Sequence, residues 1–368
     1  MVRAGVVLVA LLPVAGALVI CAQNAQNPAP EVPTSEETIR TRVDVVLAPV
    51  TVLNRQGDYV SGLQPQDFHL LDNGKEQEIH VDVTFQPISM VIAVQANDHV
   101  EAILPKINKI GSMIQPMVIG EQGEAAVLAF DHRFQLKQDF TNDTGKIEAA
   151  VKNITPGSGS SRLIDAVIDS VRMLRSRPAS RRRILLLIAE TRDKGSESKV
   201  RDALTDIQMN NVSVYSVDVS RMVAGLSKTR PPDPRPDTLP PAMTPLPGGV
   251  AATPNNVMQA TGGQGGSAQF IPLMVEIFKD TKSIFIDNPV EVFTKGTGGA
   301  EFGFAKQRGL EDAIEKIGAE IHSQYLISYN PNNKDQGGFH EIQVEVSHPE
   351  ANKVRTRPGY WLASVAGK

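Results

Sequence analysis

The chain has 368 residues and a formal net charge of -4 at pH 7, and 41% of its residues are hydrophobic and 21% charged. This length predicts about two domains, and the composition is that of a globular protein, which excludes wholesale disorder and a multi-span membrane protein. A net negative charge gives no general electrostatic reason to bind nucleic acid, so we set that partner class aside.

The first 22 residues have the features of a secretory signal peptide. Arg3 gives a short basic start, an apolar stretch runs from Ala4 to Ile20, and Ala22 is a small residue suited to cleavage. The single cysteine, Cys21, lies in this segment, so the mature chain would contain neither a disulfide nor a cysteine metal site. We therefore expect an exported protein that is periplasmic, secreted or bound to the cell envelope. A retained membrane anchor and a lipoprotein attached through Cys21 are the alternatives.

The next segments predict a linker and then the start of a β domain. Residues 23–40 are polar and rich in proline, and such a composition cannot bury enough apolar surface to fold. Apolar residues alternate from Val43 to Val52, and Asp72-Asn73-Gly74 has the composition of a tight turn. Residues 41–86 are therefore predicted to form antiparallel strands.

The pattern changes after residue 86, where continuous apolar runs alternate with amphipathic helical patterns. Such runs are typical of strands covered on both faces, and their alternation with helices predicts right-handed βαβ units. Residues 87–323 are thus predicted to be an α/β domain with a doubly wound, mostly parallel sheet. The strand-like runs are Met90–Val94, Ala125–Phe130, Ile184–Ile188 and Val212–Val219, and the helical patterns are Ile103–Met113, Leu163–Leu174 and Val200–Ile207.

A proline- and glycine-rich insertion is predicted within this domain, at residues 222–266. Nine of the 25 prolines of the chain lie between Pro231 and Pro254, and no packed element fits that composition. An amphipathic stretch follows at residues 271–278. The run Val290–Phe293 predicts a short strand.

The end of the chain predicts a helix followed by more antiparallel strands. The helix is expected over residues 309–323, and apolar residues alternate again within residues 324–362. The simplest architecture joins residues 324–362 to residues 41–86 in one β domain, with the α/β domain inserted between the two parts.

The loops that follow the parallel strands are the place to look for a site, because ligands of open α/β sheets bind beyond the carboxyl ends of the strands. The first strand runs into Gln95-Ala96-Asn97-Asp98-His99. A Gly-Ser loop at residues 157–161 leads into a helix, and a later strand runs into Glu190-Thr191-Arg192-Asp193. These three loops form the candidate site.

The order of elements, together with the Gly-Ser loop that runs into Leu163-Ile164-Asp165-Ala166, resembles a von Willebrand factor type A domain. The flanks are more specific. Residues 62–68, Gly-Leu-Gln-Pro-Gln-Asp-Phe, and Arg357-Pro358-Gly359-Tyr360 resemble the family called the VWFA-related acidobacterial domain. The resemblance covers about residues 40–362 and implies the α/β fold predicted above. None of these flanking motifs is catalytic, so they indicate a family but not a chemical reaction.

Many members of the wider family hold Mg²⁺ in a metal-ion-dependent adhesion site. Its pattern is Asp-x-Ser-x-Ser after the first strand, a Thr in the second loop and an Asp in the third, because Mg²⁺ prefers hard oxygen ligands. All five positions differ here, so the resemblance implies a degenerate site with no cofactor, or weak Mg²⁺ binding through Ser161 and Glu190 at most. The five matching residues are Gln95, Asn97, His99, Ser161 and Glu190.

Two other interpretations concern single features. Ser161 is also a candidate N-cap for the helix that begins near Arg162, in which case the five residues only cap strand and helix ends. The arginines between residues 175 and 183 either contact an acidic polymer or phospholipid headgroups, or belong to a solvated loop.

The sequence contains no nucleophile elbow, P-loop or dinucleotide fingerprint, so no enzyme activity is expected. The leading hypothesis is a non-catalytic, secreted or envelope-associated protein-interaction module of the adhesion type, with a protein partner that the sequence does not identify. The alternative is a structural or assembly component of the cell envelope that binds through its β domain or its proline-rich insertion.

Overall fold

The computed structural model describes residues 45–82, 86–226, 266–279, 286, 288–303 and 308–362. The predicted signal peptide, the predicted linker and most of the proline-rich insertion lie outside these residues. The described residues belong to one compact unit. Within them, no helix combines the length and the apolar character needed to cross a membrane.

The described residues form strands and helices that we number in chain order. The strands are β1 (Val46–Leu53), β2 (Phe68–Asp72), β3 (Lys75–Glu76), β4 (Ile79–Asp82), β5 (Ile88–Gln95), β6 (Glu124–Phe130), β7 (Phe134–Thr141), β8 (Arg182–Ala189), β9 (Val212–Asp218), β10 (Glu301–Gly303), β11 (Tyr325–Tyr329), β12 (Gly338–Val346), β13 (Lys353–Arg355) and β14 (Gly359–Leu362). The helices are α1 (Leu104–Ile107), α2 (Gly111–Ile114), α3 (Thr144–Lys152), α4 (Leu163–Arg175), α5 (Val200–Met209), α6 (Ser220–Leu226), α7 (Gly266–Lys279), α8 (Pro289–Thr297) and α9 (Arg308–Ser323).

A six-stranded sheet with the order β10-β9-β8-β5-β6-β7 forms the centre of the α/β part. All neighbours are parallel except the β6–β7 pair. The chain passes from β5 to β6 on one side and then returns to β8 on the other side of β5. The carboxyl ends of β5 and β8 therefore lie at the point where the strand order reverses, which is where doubly wound folds bind ligands.

The central sheet is covered by helices on both faces. Every residue of β5 is buried, and alternate residues face opposite cores. Ile92 packs in one core with residues of α1, α2, α3 and α9, whereas Val91 packs in the other with residues of α4, α5, α7 and α8. This confirms the predicted α/β fold with a doubly wound, mostly parallel sheet.

Two separate four-stranded sheets are built from both ends of the described chain. Their orders are β13-β1-β11-β4 and β14-β12-β2-β3, and the strands in each are antiparallel. One core contains residues of both sheets, including Val50 of β1 and Leu70 of β2. The flanking antiparallel part thus forms from both chain ends as expected, while its boundaries as a separate domain stay a prediction.

A group of buried polar side chains lies within this antiparallel part, and we call it the Asp72 cluster. Asp72 accepts hydrogen bonds from the hydroxyls of Tyr329 (2.9 Å) and Tyr360 (2.8 Å) and from Asn333 Nδ2 (3.1 Å). His340 Nδ1 lies 2.7 Å from Asp72 Oδ1. Burial and the adjacent Asp72 raise the pKa of Tyr360, so its hydroxyl stays protonated and can donate.

The predicted strand at Val290–Phe293 is wrong, because these residues lie in α8. Asn288 caps the helix by accepting a hydrogen bond from the backbone N–H of Glu291, and Pro289 occupies the first turn. Gly298 ends the helix in the left-handed conformation, with φ of 76°. These start and stop signals prevail over the β-branched composition of the run.

The predicted helix over Ile103–Met113 is divided into short pieces. A 3-10 turn at Asp98–Ile103 precedes α1 and α2, and a π-helical turn at Gln115–Ile119 follows. At Gly111, a Cβ would lie only 2.8 Å from the backbone of Glu148 in α3. A glycine is therefore needed where the two helices pack together.

Candidate functional site

Backbone hydrogen bonds join the loops at the carboxyl ends of β5, β6 and β8. The N–H of Gly157 donates to the carbonyl of Ala96 (2.6 Å), and the N–H of Arg162 donates to that of Asp131 (2.9 Å). The N–H of Lys194 donates to the carbonyl of Ser161 (3.0 Å). The loops that the sequence analysis selected are therefore held side by side, together with the loop after β6.

Gln95 forms the centre of the site and is only 1% exposed. Its Oε1 accepts a hydrogen bond from the backbone N–H of Glu190 (2.9 Å). Its Nε2 donates to Asn97 Oδ1 (2.9 Å) and to Glu190 Oε2 (3.0 Å). Because a backbone N–H can only donate, the atom that faces it must be the amide oxygen, which fixes the orientation of the amide. Gln95 thus cross-links the ends of β5 and β8.

Two polar atoms beneath the loops have no hydrogen-bond partner among the described residues. Asn97 Nδ2 and Ser161 Oγ are both buried and unpaired. Buried polar groups are nearly always hydrogen-bonded in native proteins, so each of these unpaired atoms calls for an explanation such as a bound ligand or water.

His99 lies at the edge of this region and is half exposed. Its Nδ1 is 3.9 Å from Glu190 Oε1, which is too long for a hydrogen bond but allows an ion pair when His99 is protonated. The structure therefore brings Gln95, Asn97 and Glu190 into direct contact and places His99 beside them. Ser161 is buried in the adjoining loop.

The alternative interpretation in which Ser161 caps α4 is wrong. The N-cap position is occupied by Arg162, whose side chain does not cap the helix. Instead, Asp193 Oδ1 accepts hydrogen bonds from the backbone N–H groups of Leu163 (2.8 Å) and Ile164 (3.3 Å). The helix is therefore capped by a carboxylate from the loop after β8, which favours its N-terminus electrostatically. A cap from another loop cannot be recognised from local sequence.

Exposed side chains surround the buried base of the site. We call the exposed residues Asp98, His99, Ser158, Arg192 and Lys194 the rim. The rim carries both signs of charge and comes from three loops. Its backbone is fixed by the hydrogen bonds described above, so the rim is a preformed surface.

Asp131 is a buried residue of the site that sequence reasoning missed. It accepts hydrogen bonds from the backbone N–H groups of Arg133 (2.7 Å) and Ser158 (3.0 Å). Burial raises the pKa of Asp131, but these hydrogen bonds outweigh it and hold the pKa below its usual value. A Cβ at Gly157 would lie 1.9 Å from Asp131 Oδ2, so only glycine fits there. The sequence signal that could have identified Asp131 is its position directly after a buried strand.

Asp131, His132 and Ser158 meet at the rim, but their geometry does not form a catalytic relay. Ser158 Oγ contacts His132 Nδ1, and Asp131 Oδ2 lies 3.2 Å from the same nitrogen. A Ser-His-Asp relay needs the serine on one ring nitrogen and the acid on the other, so that the proton can move between them. The group therefore does not activate Ser158 in that way.

The arrangement does not fit a Mg²⁺ ion of the kind that metal-ion-dependent adhesion sites hold. The amide of Gln95 donates to Asn97 Oδ1 and Glu190 Oε2, which are oxygens that an ion would need, and its own oxygen is taken by a backbone N–H. Glu190 is the single carboxylate among the five matched positions. Mg²⁺ gives up its water ligands only at a considerable cost in free energy, and one negative charge offsets little of that cost. Within the described residues, no group of three or more His, Cys, Asp or Glu side chains is placed to hold a metal ion.

No protein-family model matches the chain, and no curated protein matches it in sequence. Among solved structures, the chain is similar to BatB from Bacteroides thetaiotaomicron, with 14% identity over 36% of this chain and 66% of that chain and a TM-score of 0.32. It is also similar to the VWA domain of SpRpn10, with 12% identity over 36% of this chain and 75% of that chain and a TM-score of 0.30.

A third similar structure is the vWF domain of the type V pili tip protein Mfa5 from Porphyromonas gingivalis. The identity is 15% over 30% of this chain and 40% of that chain, with a TM-score of 0.26. Similarity at this level concerns the fold alone, and the match spans less than two thirds of the BatB and Mfa5 chains.

Proposed function

We propose that the chain is a non-catalytic protein-interaction module of the adhesion type, and that the rim is the surface that contacts a protein partner. The observation that carries this proposal is the preformed rim, in which exposed polar and charged side chains from three loops surround a base cross-linked by Gln95. A surface that is already ordered loses little conformational entropy on binding.

The protein partner is recognised without a metal ion. The amide of Gln95 joins the first and third loops through neutral and charge-assisted hydrogen bonds, and it thereby holds in place the loops that an ion would otherwise join. The mixed charges of the rim favour a partner surface that also carries both signs, since complementary charges set specificity and the association rate.

The proposed location is outside the cytoplasm, either secreted or at the cell envelope. This part of the proposal depends on the sequence of residues 1–22, with its basic start and its apolar stretch. N-terminal sequencing of the mature protein tests it, and a chain that keeps Met1 and stays in the cytoplasm would contradict it.

The binding surface is tested by crosslinking the full-length chain to its neighbours in intact cells and quantifying the partners. The rim variant carries His99→Ala and Lys194→Ala, and the control carries Arg175→Ala, an exposed change at the far end of α4. We expect the rim variant to lose most of the partner that the parent and the control retain.

Equal recovery of that partner by the rim variant would contradict the proposed surface. If deletion of residues 225–262 abolished recovery while the rim variant retained it, the result would favour the alternative of an assembly component that binds through its proline-rich insertion. Thermal unfolding of each variant verifies that folding is unchanged.

A further inference from the structure

A second polar region lies at the opposite end of the parallel sheet, near the amino ends of β8 and β9. There a cavity of about 80 Å³ is lined by Arg181, Arg182, Arg183 and Arg357, with Gln208 among its other walls. Three of these four arginines belong to the basic cluster that stands out in the sequence. The cavity thus gives that cluster a defined place in the fold.

The lining arginines are held in fixed positions by backbone carbonyls. Arg181 donates to the carbonyls of Ile88 and Gln122 (2.9 Å each), and Arg183 donates to that of Asn210 (3.1 Å). Arg357 Nη1 donates to the carbonyl of Leu47 (3.1 Å). These arginines therefore do not form a freely solvated loop. Their guanidinium groups are preorganised around the cavity, which lowers the entropic cost of binding an anion.

The positive charge of the cavity is poorly compensated. No Asp or Glu is among its lining residues. Arg181 pairs with Glu124 at 3.3 Å, but no carboxylate in the described part of the chain forms an ion pair with Arg183 or Arg357. Burial lowers the pKa of Arg357 to about 10, which reflects the cost of its unpaired charge. A buried charge without a counter-ion is strongly unfavourable, so an anion would stabilise this region.

Two atoms of the lining residues are also buried without a hydrogen-bond partner among the described residues. Arg183 Nε is an unused donor, and Gln208 Oε1 is an unused acceptor. Gln208 is only 8% exposed, and its Nε2 donates to the carbonyls of Gly296 (3.0 Å) and Gly359 (3.1 Å), so its oxygen is fixed as well. An anion with both acceptor oxygens and a hydroxyl donor would serve both atoms.

We propose that this cavity is a binding site for a phosphate group. A phosphate carries a charge of about -1.5 to -2 at pH 7, whereas a carboxylate carries one, so phosphate better matches the unpaired guanidinium groups. At roughly 10–15 Å³ for each water-sized group, the volume accommodates about five to eight of them, which is enough for the non-hydrogen atoms of phosphate. The inorganic phosphate dianion, HPO4²⁻, carries two charges and still has one hydroxyl that can donate a hydrogen bond to Gln208 Oε1.

A smaller cavity of about 20 Å³ adjoins the first and shares Gln208 and Arg357 with it. Its walls include Phe278 and Trp361, whose rings are stacked with centroids 5.2 Å apart. A volume of about 20 Å³ holds one or two water-sized groups, so a small apolar group attached to the phosphate would lie against these rings, whereas a phenyl group would have to displace them. The site therefore suits a phosphate monoester as well as free phosphate, and both share the same anion chemistry.

The test uses the purified full-length chain and calorimetric titration at constant ionic strength. The ligands are inorganic phosphate, phenyl phosphate and benzoate, with chloride as the background anion. Trp361 is the single tryptophan of the chain, so its fluorescence reports on occupancy next to the smaller cavity. We expect saturable binding of both phosphates and much weaker binding of benzoate. Tighter binding of phenyl phosphate, with a change in fluorescence, would assign the site to a monoester, whereas equal affinities would assign it to free phosphate.

The matched variants are Arg183→Gln in the cavity and Arg175→Gln, which removes the same charge at an exposed position outside it. Loss of one charge-assisted hydrogen bond predicts about tenfold weaker phosphate binding for R183Q and no change for R175Q. Equal binding by R183Q and the parent would overturn the proposal. Benzoate binding as tight as phosphate, or no saturable phosphate binding by the parent, would overturn it without any variant.

Discussion

Asp72 and Gln95 each organise a group of buried polar side chains, but the surroundings of the two groups differ. Asp72 joins residues that are 257 to 288 positions away in the chain, and all the members of its cluster are buried within the antiparallel part. Gln95 joins the ends of two adjacent strands directly beneath exposed loops. The Asp72 cluster, which is buried throughout, can only stabilise the fold. The residues around Gln95 lie next to the exposed rim, so they can also position a binding surface.

The two groups also differ in how their carboxylates are used. Asp72 accepts hydrogen bonds from two tyrosines and one asparagine, so removing it would strand several buried donors at once. Glu190 accepts from Gln95 and is partly exposed, so water can replace a lost partner. This difference predicts a large stability effect at Asp72 and a smaller one at Gln95.

The largest effect is expected for Asp72→Ala. Each buried donor left without an acceptor costs about 1–3 kcal/mol, so we expect the free energy of unfolding to fall by at least about 3 kcal/mol. Denaturant unfolding measures it. The control is Asp312→Ala, an exposed aspartate on α9, which should change the free energy little. A loss below about 1 kcal/mol for D72A would show that the cluster does not hold the sheets together.

A smaller effect is expected for Gln95→Glu, which keeps the shape of the side chain but replaces its donor nitrogen by oxygen. The new carboxylate would face Glu190 Oε2 across the present 3.0 Å contact, so we expect a loss of about 2 kcal/mol at pH 7 that diminishes in acid as one carboxylate is protonated.

Gln343→Glu is the matched control, because Gln343 Nε2 also donates to a glutamate, Glu345, at 3.0 Å but on an exposed strand surface. Water screens that pair, so the same exchange should cost little there. Equal stability losses for the two variants would remove the distinction between a buried cross-link and a surface contact.

The smallest of the three stability effects is expected at Asp131. Its pKa in the folded state is lowered, so its contribution is present above the unfolded pKa of about 3.9 and is lost as the pH falls through the lower folded value. In Asp131→Asn, the amide nitrogen would face a backbone N–H, and we expect a loss of about 1 kcal/mol at pH 7.

The pH dependence makes this prediction specific. Below pH 4 the stability of the parent should approach that of D131N, because the parent then loses the same charge. Unfolding curves at several pH values measure it, with Asp312→Asn as the control. A constant difference between D131N and the parent from pH 7 to pH 2 would be inconsistent with a lowered pKa in the folded state.

The sequence predicted the parallel sheet because buried strands such as Met90–Val94 are apolar without interruption and alternate with amphipathic helical patterns. It also placed Gln95, Asn97 and Glu190 at one edge of the sheet, because the carboxyl ends of parallel strands meet there. It did not predict that the amide of Gln95 joins them, since Gln95 and Glu190 are 95 positions apart and their contact depends on loop conformation.

Elements set by contacts from distant residues were missed for the same reason. The helix cap supplied by Asp193 comes from a loop that is 30 positions away from Leu163. The Asp72 cluster depends on the pairing of β2 with β12, which brings the two ends of the described chain together. Local composition carries no signal for such contacts, whereas the caps of α8 lie in local sequence and were overlooked in favour of its β-branched residues.

The central claim is that the amide of Gln95 takes the place of a metal ion in joining the loops. The most direct measurement is the thermal midpoint of the protein, from residue 23 to residue 368, in millimolar Mg²⁺ and in EDTA. A ligand that binds only the folded state stabilises it by about 2.7 kcal/mol at a hundred times its dissociation constant, so tight binding could not escape detection. We expect no shift for the parent and a rise in Mg²⁺ for the variant with Gln95→Asp, Asn97→Ser and His99→Ser. A clear rise for the parent that Glu190→Ala abolishes would contradict the claim.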